Sequence, residues 1–186
     1  MSSYIQMHKT ASKGTGVFTV RDTPAGTTLL RKKPIITGTA GPSPDTTVYS
    51  AKILRQAEVM QLHEYRRTDC ETTFKAIAYQ YVAKNPAVKF SSGHYLSVPY
   101  KYATNGWGSM LCLTISRFNH SCANNADMVS SSDPKHPARV VAARDIRNGD
   151  EITVTYIEVC MADRAAKLAH VWGFACQCPV SRVQHR

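Results

Sequence analysis

The chain has 186 residues, 43% hydrophobic and 19% charged, with a formal net charge of +10. This is about one domain's worth of chain at roughly 100–200 residues per domain, and the apolar content is enough for a core, so wholesale disorder is excluded. The longest apolar runs, such as Met110-Leu111-Cys112-Leu113, fall far short of the ~20 residues a membrane-spanning helix needs.

The opening Met1-Ser2-Ser3-Tyr4 shows no basic-then-apolar export signal, so a soluble intracellular domain is expected. The six cysteines are then expected to be thiols or metal ligands rather than a disulfide framework. The positive excess is spread along the chain, with Arg31-Lys32-Lys33 its densest point. It favours anionic partners, and nucleic-acid contact through a basic surface is one reading. No RNA-binding aromatic signature and no base-reading zinc-finger spacing accompany it.

The first 40 residues read as short strands: Val17-Phe18-Thr19-Val20 after a glycine turn, then 27–31 and 34–37, separated by Pro24-Ala25-Gly26. A turn-rich break at 41–45 opens a helical region. There Ile53, Ala57 and Met60 share one face, and Phe74, Ile77, Ala78, Tyr81 and Val82 follow a helical period. Thr68 and Glu71 have the spacing of a capping box, and Asn85-Pro86 stops the helix. Strand patterns return after Asn105-Gly106-Trp107-Gly108. They cover 138–142 and then Ile152, Val154 and Tyr156 alternating with Thr153 and Thr155, with an Asn148-Gly149 tight turn between them. A last helix is expected over 163–172, ending at Gly173. Short strands interrupted by helices predict an α+β fold.

Four segments could carry chemistry. Lys13-Gly14-Thr15-Gly16 lets backbone approach a ligand without Cβ interference, although most such pairs are ordinary turns. Arg117-Phe118-Asn119-His120-Ser121-Cys122 places polar and metal-capable groups at the end of an apolar approach, where their donors and acceptors must be satisfied. By pattern it is equally a loop of Asn and Ser bonding their own backbone. Gly149 to Tyr156 reads as a turn followed by a half-buried strand. Gly173-Phe174-Ala175-Cys176-Gln177-Cys178 is a zinc half-site or a pair of buried thiols.

Taken in order, Lys-Gly-x-Gly-Val-Phe, Arg-Phe-Asn-His-Ser-Cys, Gly-Asp-Glu-Ile-Thr-Val-Thr-Tyr and Gly-Phe-x-Cys-x-Cys resemble a SET-domain protein-lysine methyltransferase. The resemblance runs from about Lys13 to Cys178. Ile-Ser-Arg-Phe-Asn-His-Ser-Cys leans toward the SMYD-like and fungal branches. The cysteines of a MYND finger are missing from the insertion, which holds Cys70 alone before Cys112.

The resemblance implies a SET fold of small β-sheets with a helical insertion (about 42–110) and a pseudoknot core over 1–160. A C-terminal helix and partial post-SET segment would occupy 161–186. It implies S-adenosyl-L-methionine as cofactor, held by Lys13, Gly14, Thr15 and Gly16 at its methionine end, by Asn119 and His120, by Phe174 on the adenine, and by Asn105. Tyr156 would be the catalytic tyrosine, and Phe118, with Tyr100 or Tyr102, would be among the channel aromatics that set product degree. Zinc is implied at Cys122, Cys176 and Cys178. Ser181 stands where relatives carry another cysteine, and His185 is the candidate substitute. The implied partner is a protein lysine, with histone as the leading substrate. A catalytically inactive SET-fold binding module and a basic nucleic-acid binder are the competing readings.

Overall fold

Glycine turns and β-prone runs give the chain its strands, and the computed structural model describes them over residues 4–37, 61–87, 92–108, 110–130, 136–157 and 163–180. These fall into two units, Met1–Lys33 with Arg117–Arg186, and Pro34–Ser116. The expected break at 41–45, the face of Ile53, Ala57 and Met60, and both Ser181 and His185 lie outside the described residues.

In the first unit, β1 (Ile5–Lys9) and β2 (Thr15–Thr19) form an antiparallel hairpin with Lys9 opposite Thr15. Its loop closes on the Gly14 carbonyl oxygen, which accepts from Thr10 N at 2.7 Å and from Thr10 Oγ1 at 3.1 Å. Gly14 has φ +70°, a conformation side-chain-bearing residues rarely adopt. The other face of β2 pairs antiparallel with β9 (Glu151–Val154). In turn β9 pairs in parallel with β6 (Asn119–His120), Asn119 opposite Thr153 and His120 opposite Val154. The sheet order is therefore β1-β2-β9-β6. A second sheet has β8 (Ala138–Ala142) between β3 (Thr28–Lys32) and β7 (Ala126–Val129), all antiparallel.

One expectation is met and one changes here. The Asn148-Gly149 turn forms, with Asp150 N donating to Arg147 O at 3.0 Å and Gly149 at φ +87°, but it joins strands of different sheets rather than a hairpin. Asn148 has negative φ, so this is not the primed turn that a two-residue hairpin needs. The strand at 151–154 is not half-buried, because Ile152, Thr153 and Val154 are all buried. With strands on both edges and Asn125 accepting the Thr153 N–H at 2.8 Å, β9 is interior on every side.

The last helix, α3 (Arg164–Trp172), buries Arg164 and Leu168 one turn apart and ends at Gly173 in the left-handed conformation, as expected.

In the second unit, β4 (Ile36–Thr37) pairs with β5 (Met110–Leu111), and α1 (Glu71–Lys84) and α2 (Ser92–Asn105) bring Ala78, Tyr95, Val98 and Tyr102 to one core with Ile36, Leu62 and Leu111. The capping box does not form. Thr68–Cys70 winds a 3-10 turn, so Glu71 heads α1 and pairs forward with Lys75 at 2.6 Å. Local propensity does not announce α2, which contains Pro99 and few strong helix formers. Burial decides it: Tyr95, Val98 and Tyr102 recur at helical spacing and all face the core.

Candidate active site

Three segments converge in the first unit. The parallel pairing of β6 with β9 places Asn119 and His120 beside Thr153 and Val154. The chain then leaves β9 through Thr155 and puts Tyr156 against the same segment. Tyr156 N donates to His120 Nδ1 at 3.0 Å, and Tyr156 Oη donates to the Phe118 carbonyl oxygen at 2.8 Å. The phenol is thus held at both ends by residues some 36 positions away.

Around it lie His120 (ring centroid 5.3 Å), Trp172 (5.2 Å) and Phe174 (6.3 Å, edge-on). Phe174 also lies 5.9 Å from His120. The helix stop explains this grouping. Trp172 is the last helical residue, and Gly173 at φ +76° turns the chain so that Phe174 joins the same cluster.

Protonation states follow from burial. Burial pushes the Tyr156 phenol well above its ordinary pKa, and the Glu151 carboxylate adds to the effect. His120 is pushed down to about 4, first by burial and then by the positive charges of Arg164 and Lys13. Its tautomer is set by its bonds. Nδ1 accepts a backbone N–H, so Nε2 carries the proton and faces Cys122 Sγ at 3.3 Å.

A carboxylate missing from the expected set sits at the front of β9. Glu151 Oε2 lies 2.9 Å from Lys13 Nζ, and Oε1 accepts from Asn119 Nδ2 at 2.7 Å. Asn125 adds its own ties, Nδ2 donating to Glu151 O at 2.9 Å. The Lys13 loop, the Asn-His segment and β9 are therefore joined by one acid.

The other expected residues fall as follows. The Lys13 N–H is spent on Thr10 Oγ1 at 2.9 Å, and Thr15 and Gly16 lie in β2 opposite Lys9 and His8. Asn105 belongs to the second unit, where its Nδ2 donates to Lys101 O at 2.8 Å and His63 O at 2.7 Å. Of the aromatics expected to line a channel, Phe118 is fully buried, Tyr102 is in the second unit's core, and Tyr100 lies edge-on to Phe74 at 4.8 Å.

Cys122 Sγ and Cys176 Sγ are 3.7 Å apart, and the Cys122 thiol bonds to Cys178 as well. Thiolates about 2.3 Å from a tetrahedral zinc are ~3.8 Å from one another, so the spacing suits that ion. Among the described residues His120, Cys122 and Cys176 form the cluster able to hold a metal. With Nε2 protonated and Nδ1 engaged, however, His120 offers no free lone pair. The thiols are thus the groups free to ligate a metal, and His120 stands behind them.

Residues 14–157, well over half the chain, match the SET domain family. The chain belongs to that family. Among curated relatives, the SET domain here is 39% identical over 80 residues to the histone-lysine N-methyltransferase SET5 of Meyerozyma guilliermondii, covering 41% of this chain and 17% of that protein. It is 34% identical over 77 residues to the human protein-lysine N-trimethyltransferase SMYD5, covering 39% of this chain and 18% of that one. The matched stretches thus span less than a fifth of those relatives. In fold, the SET domain resembles the crystal structure of the SET domain of LSMT bound to lysine and AdoHcy. The TM-score is 0.53 at 10% identity, over 93% of this chain and 53% of that one.

Within the candidate site, Trp172 and Glu151 are residues that sequence reading passed over. A tryptophan just before a helix-stopping glycine and the acid that opens the Glu-Ile-Thr-Val strand were their signals.

Proposed function

We propose that the protein transfers a methyl group from S-adenosyl-L-methionine to the amine of a protein lysine, with histones as the leading substrate class. The observation that carries this reading is the phenol of Tyr156, fixed between the Phe118 carbonyl and His120 inside an aromatic cluster. The SET5 and SMYD5 names support the reaction and substrate class. A nuclear and/or cytoplasmic location suits that substrate, and among the described residues no helix is long and apolar enough to cross a membrane.

The residues fit such a cofactor. Phe174 and Trp172 offer aromatic faces, the Lys13–Gly16 loop offers a cation and close backbone, and Asn119 with His120 lines the same region. Asn105 belongs to this set only as the resemblance implies it. Bound there, S-adenosylmethionine supplies an electrophilic methyl on a sulfonium.

The chain's own task is to align and neutralise the amine. A lysine at its ordinary pKa of about 10.4 costs roughly 4–5 kcal/mol to deprotonate at pH 7. Apolar walls and a nearby positive charge both lower that cost. Tyr156 cannot act as the base, because burial keeps its phenol protonated. His120 is neutral at pH 7, but both ring nitrogens are engaged. The phenol oxygen donates its proton to Phe118 O and keeps lone pairs to receive an amine N–H, which makes its role one of orientation.

Zinc at Cys122, Cys176 and Cys178, with His185 as the fourth ligand, would tie the Phe174 segment to the Asn-His strand. Nucleic-acid contact through the basic surface is a second reading, which rests on the +10 charge.

The test is transfer of tritiated methyl to core histones and to a cell lysate, with the label located by residue. Label on lysine that falls about 100-fold in Tyr156→Phe supports the reading, the scale expected of lost positioning in the transition state. Label on arginine, or label indifferent to that substitution, contradicts it. An inactive SET-fold module would transfer nothing and bind no AdoHcy.

A further inference from the structure

We propose that the cleft at the start of α1 is a binding site for a phosphate group, held by Arg66, Arg67, Lys75 and the Tyr100 hydroxyl. The site lies within the unit of residues 34–116 and does not depend on the methyl-transfer reading.

The first observation is a hydroxyl without a task in the fold. Tyr100 is 5% exposed, and its ring packs edge-on to Phe74 at 4.8 Å. A phenylalanine would serve that packing equally well. The side chain lines a cavity of about 110 Å³, and among the described residues its hydroxyl finds no hydrogen-bond partner. A polar group so far removed from bulk water costs free energy until a partner arrives. Burial raises the phenol above its ordinary pKa, and Glu71 adds to the effect. The oxygen therefore carries its proton at neutral pH and is a donor.

The second observation is the set of bases around the same space. Arg66 Cζ lies 5.7 Å from the centre of the Tyr100 ring, and Arg67 and Lys75 line the cavity with it. Arg67 Nε is buried without a hydrogen-bond partner, Asp69 Oδ1 being 3.2 Å away but out of line. The nearby acids do not use up these bases. Glu64 lies 2.6 Å from Arg66 Nε, yet it is also answered by Ser97 at 2.6 Å and by the buried Lys101 at 3.6 Å. Asp69 takes Arg67, and Glu71 takes Lys75 at 2.6 Å in a half-exposed pair. Arg66, Arg67, Lys75 and Lys101 thus face only Glu64, Asp69 and Glu71, which leaves one positive charge and several guanidinium donors unspent. In addition, α1 begins here with no side-chain cap at Cys70, so its positive end favours an anion as well.

The donors select the ligand. Two guanidiniums, an ammonium and a phenol offer more N–H and O–H groups than the two oxygens of a carboxylate can take. The terminal oxygens of a phosphate match them, and arginine forks pair with phosphate in two-point fashion. Such a group comes either free or on a phosphorylated side chain.

Calorimetry on the whole chain tests this with three probes: inorganic phosphate, a short phosphoserine peptide, and the same peptide with glutamate in place of the phosphoserine. The phosphate-bearing probes are expected to bind, and the glutamate peptide to bind at least about 10-fold more weakly. Tyr100→Phe removes a hydroxyl that the fold does not use. Its thermal midpoint without phosphate is expected to match wild type, while phosphate affinity falls about 10-fold, the scale of one hydrogen bond to a charged group. Lys75→Met, at a half-exposed side chain, is expected to lose a similar factor. A phosphoserine peptide that binds more tightly than inorganic phosphate supports a phosphorylated side chain as the ligand, and equal affinities support free phosphate. Wild-type protein that binds neither at about 10 mM overturns the proposal. So does phosphate affinity unmoved by Tyr100→Phe and Lys75→Met, or a glutamate peptide that binds as tightly as the phosphoserine one.

Discussion

In the unit of residues 1–33 and 117–186, side-chain amides and hydroxyls reach across the sequence. Asn125 reaches the Glu151 carbonyl, Asn119 the Glu151 carboxylate, and Tyr156 the Phe118 carbonyl, over separations of 26, 32 and 38 residues. In the unit of residues 34–116 such reach also occurs, Ser97 to the Glu64 carboxylate, Lys101 to the Leu62 carbonyl and Asn105 to the His63 carbonyl, over 33, 39 and 42 residues, and beside it the same chemistry folds back on its own turn. Asn85 donates to Tyr81 O, Asn105 to Lys101 O and Ser116 to Cys112 O, each four residues back. Bonds of the second kind finish helix ends, whose last carbonyls otherwise lack partners. Bonds of the first kind fix the direction of groups that can still face a ligand. Neither polar residues nor the sequence distance over which they bond marks a site by itself; what sets the first unit apart is that its long bonds meet at Glu151 and Tyr156.

The contrast can be probed from its largest expected effect downward. His120 binds no proton in the folded state above about pH 4, whereas an unfolded histidine titrates near 6.5. Its folded pKa is lowered, so its contribution is complete above pH 6.5 and is lost as the pH falls toward 4. Denaturant unfolding is expected to show stability dropping by roughly 3 kcal/mol over that window, and His120→Gln to flatten the drop. A profile unchanged by the substitution would show that the loss arises elsewhere.

Next, Gly16→Ala forces a methyl to 2.9 Å from Glu151 Oε1. The expected cost is about 1–3 kcal/mol in thermal or denaturant unfolding, the usual range for overpacking, with AdoHcy binding weakened as the carboxylate is displaced. Smallest is Asn105→Ala in the other unit, which removes two amide-to-carbonyl bonds at the end of α2. A loss of about 1 kcal/mol in stability is expected. Equal AdoHcy affinity in wild type and variant would make Asn105 a capping residue; a selective loss of affinity would return it to the cofactor set.

Where local chemistry and global packing agree, the sequence was readable. The strand at 138–142, the helix ending at Gly173 and the grouping of Asn119, His120 and Tyr156 all follow from short-range signals or from motif order. Where packing overrode local preference, it was not. Pro99 and a run of weak helix formers hid α2, which is stabilised by the burial of Tyr95, Val98 and Tyr102. The Thr68 capping box failed because a 3-10 turn began at that residue. Within the site, Glu151 read as the first residue of a strand, since nothing local shows that Lys13, 138 residues away, meets it. The engaged nitrogens of His120 likewise depend on a backbone N–H from Tyr156 that spacing cannot supply.

The measurement closest to the centre of this account separates binding from chemistry in Tyr156→Phe. The variant loses one hydroxyl bond to Phe118 O and keeps its ring against Trp172. AdoHcy affinity by calorimetry is expected to stay within about 2-fold of wild type while methyl transfer to lysine falls about 100-fold. Transfer that survives the substitution, or affinity and transfer lost in equal measure, would contradict a phenol that orients the amine.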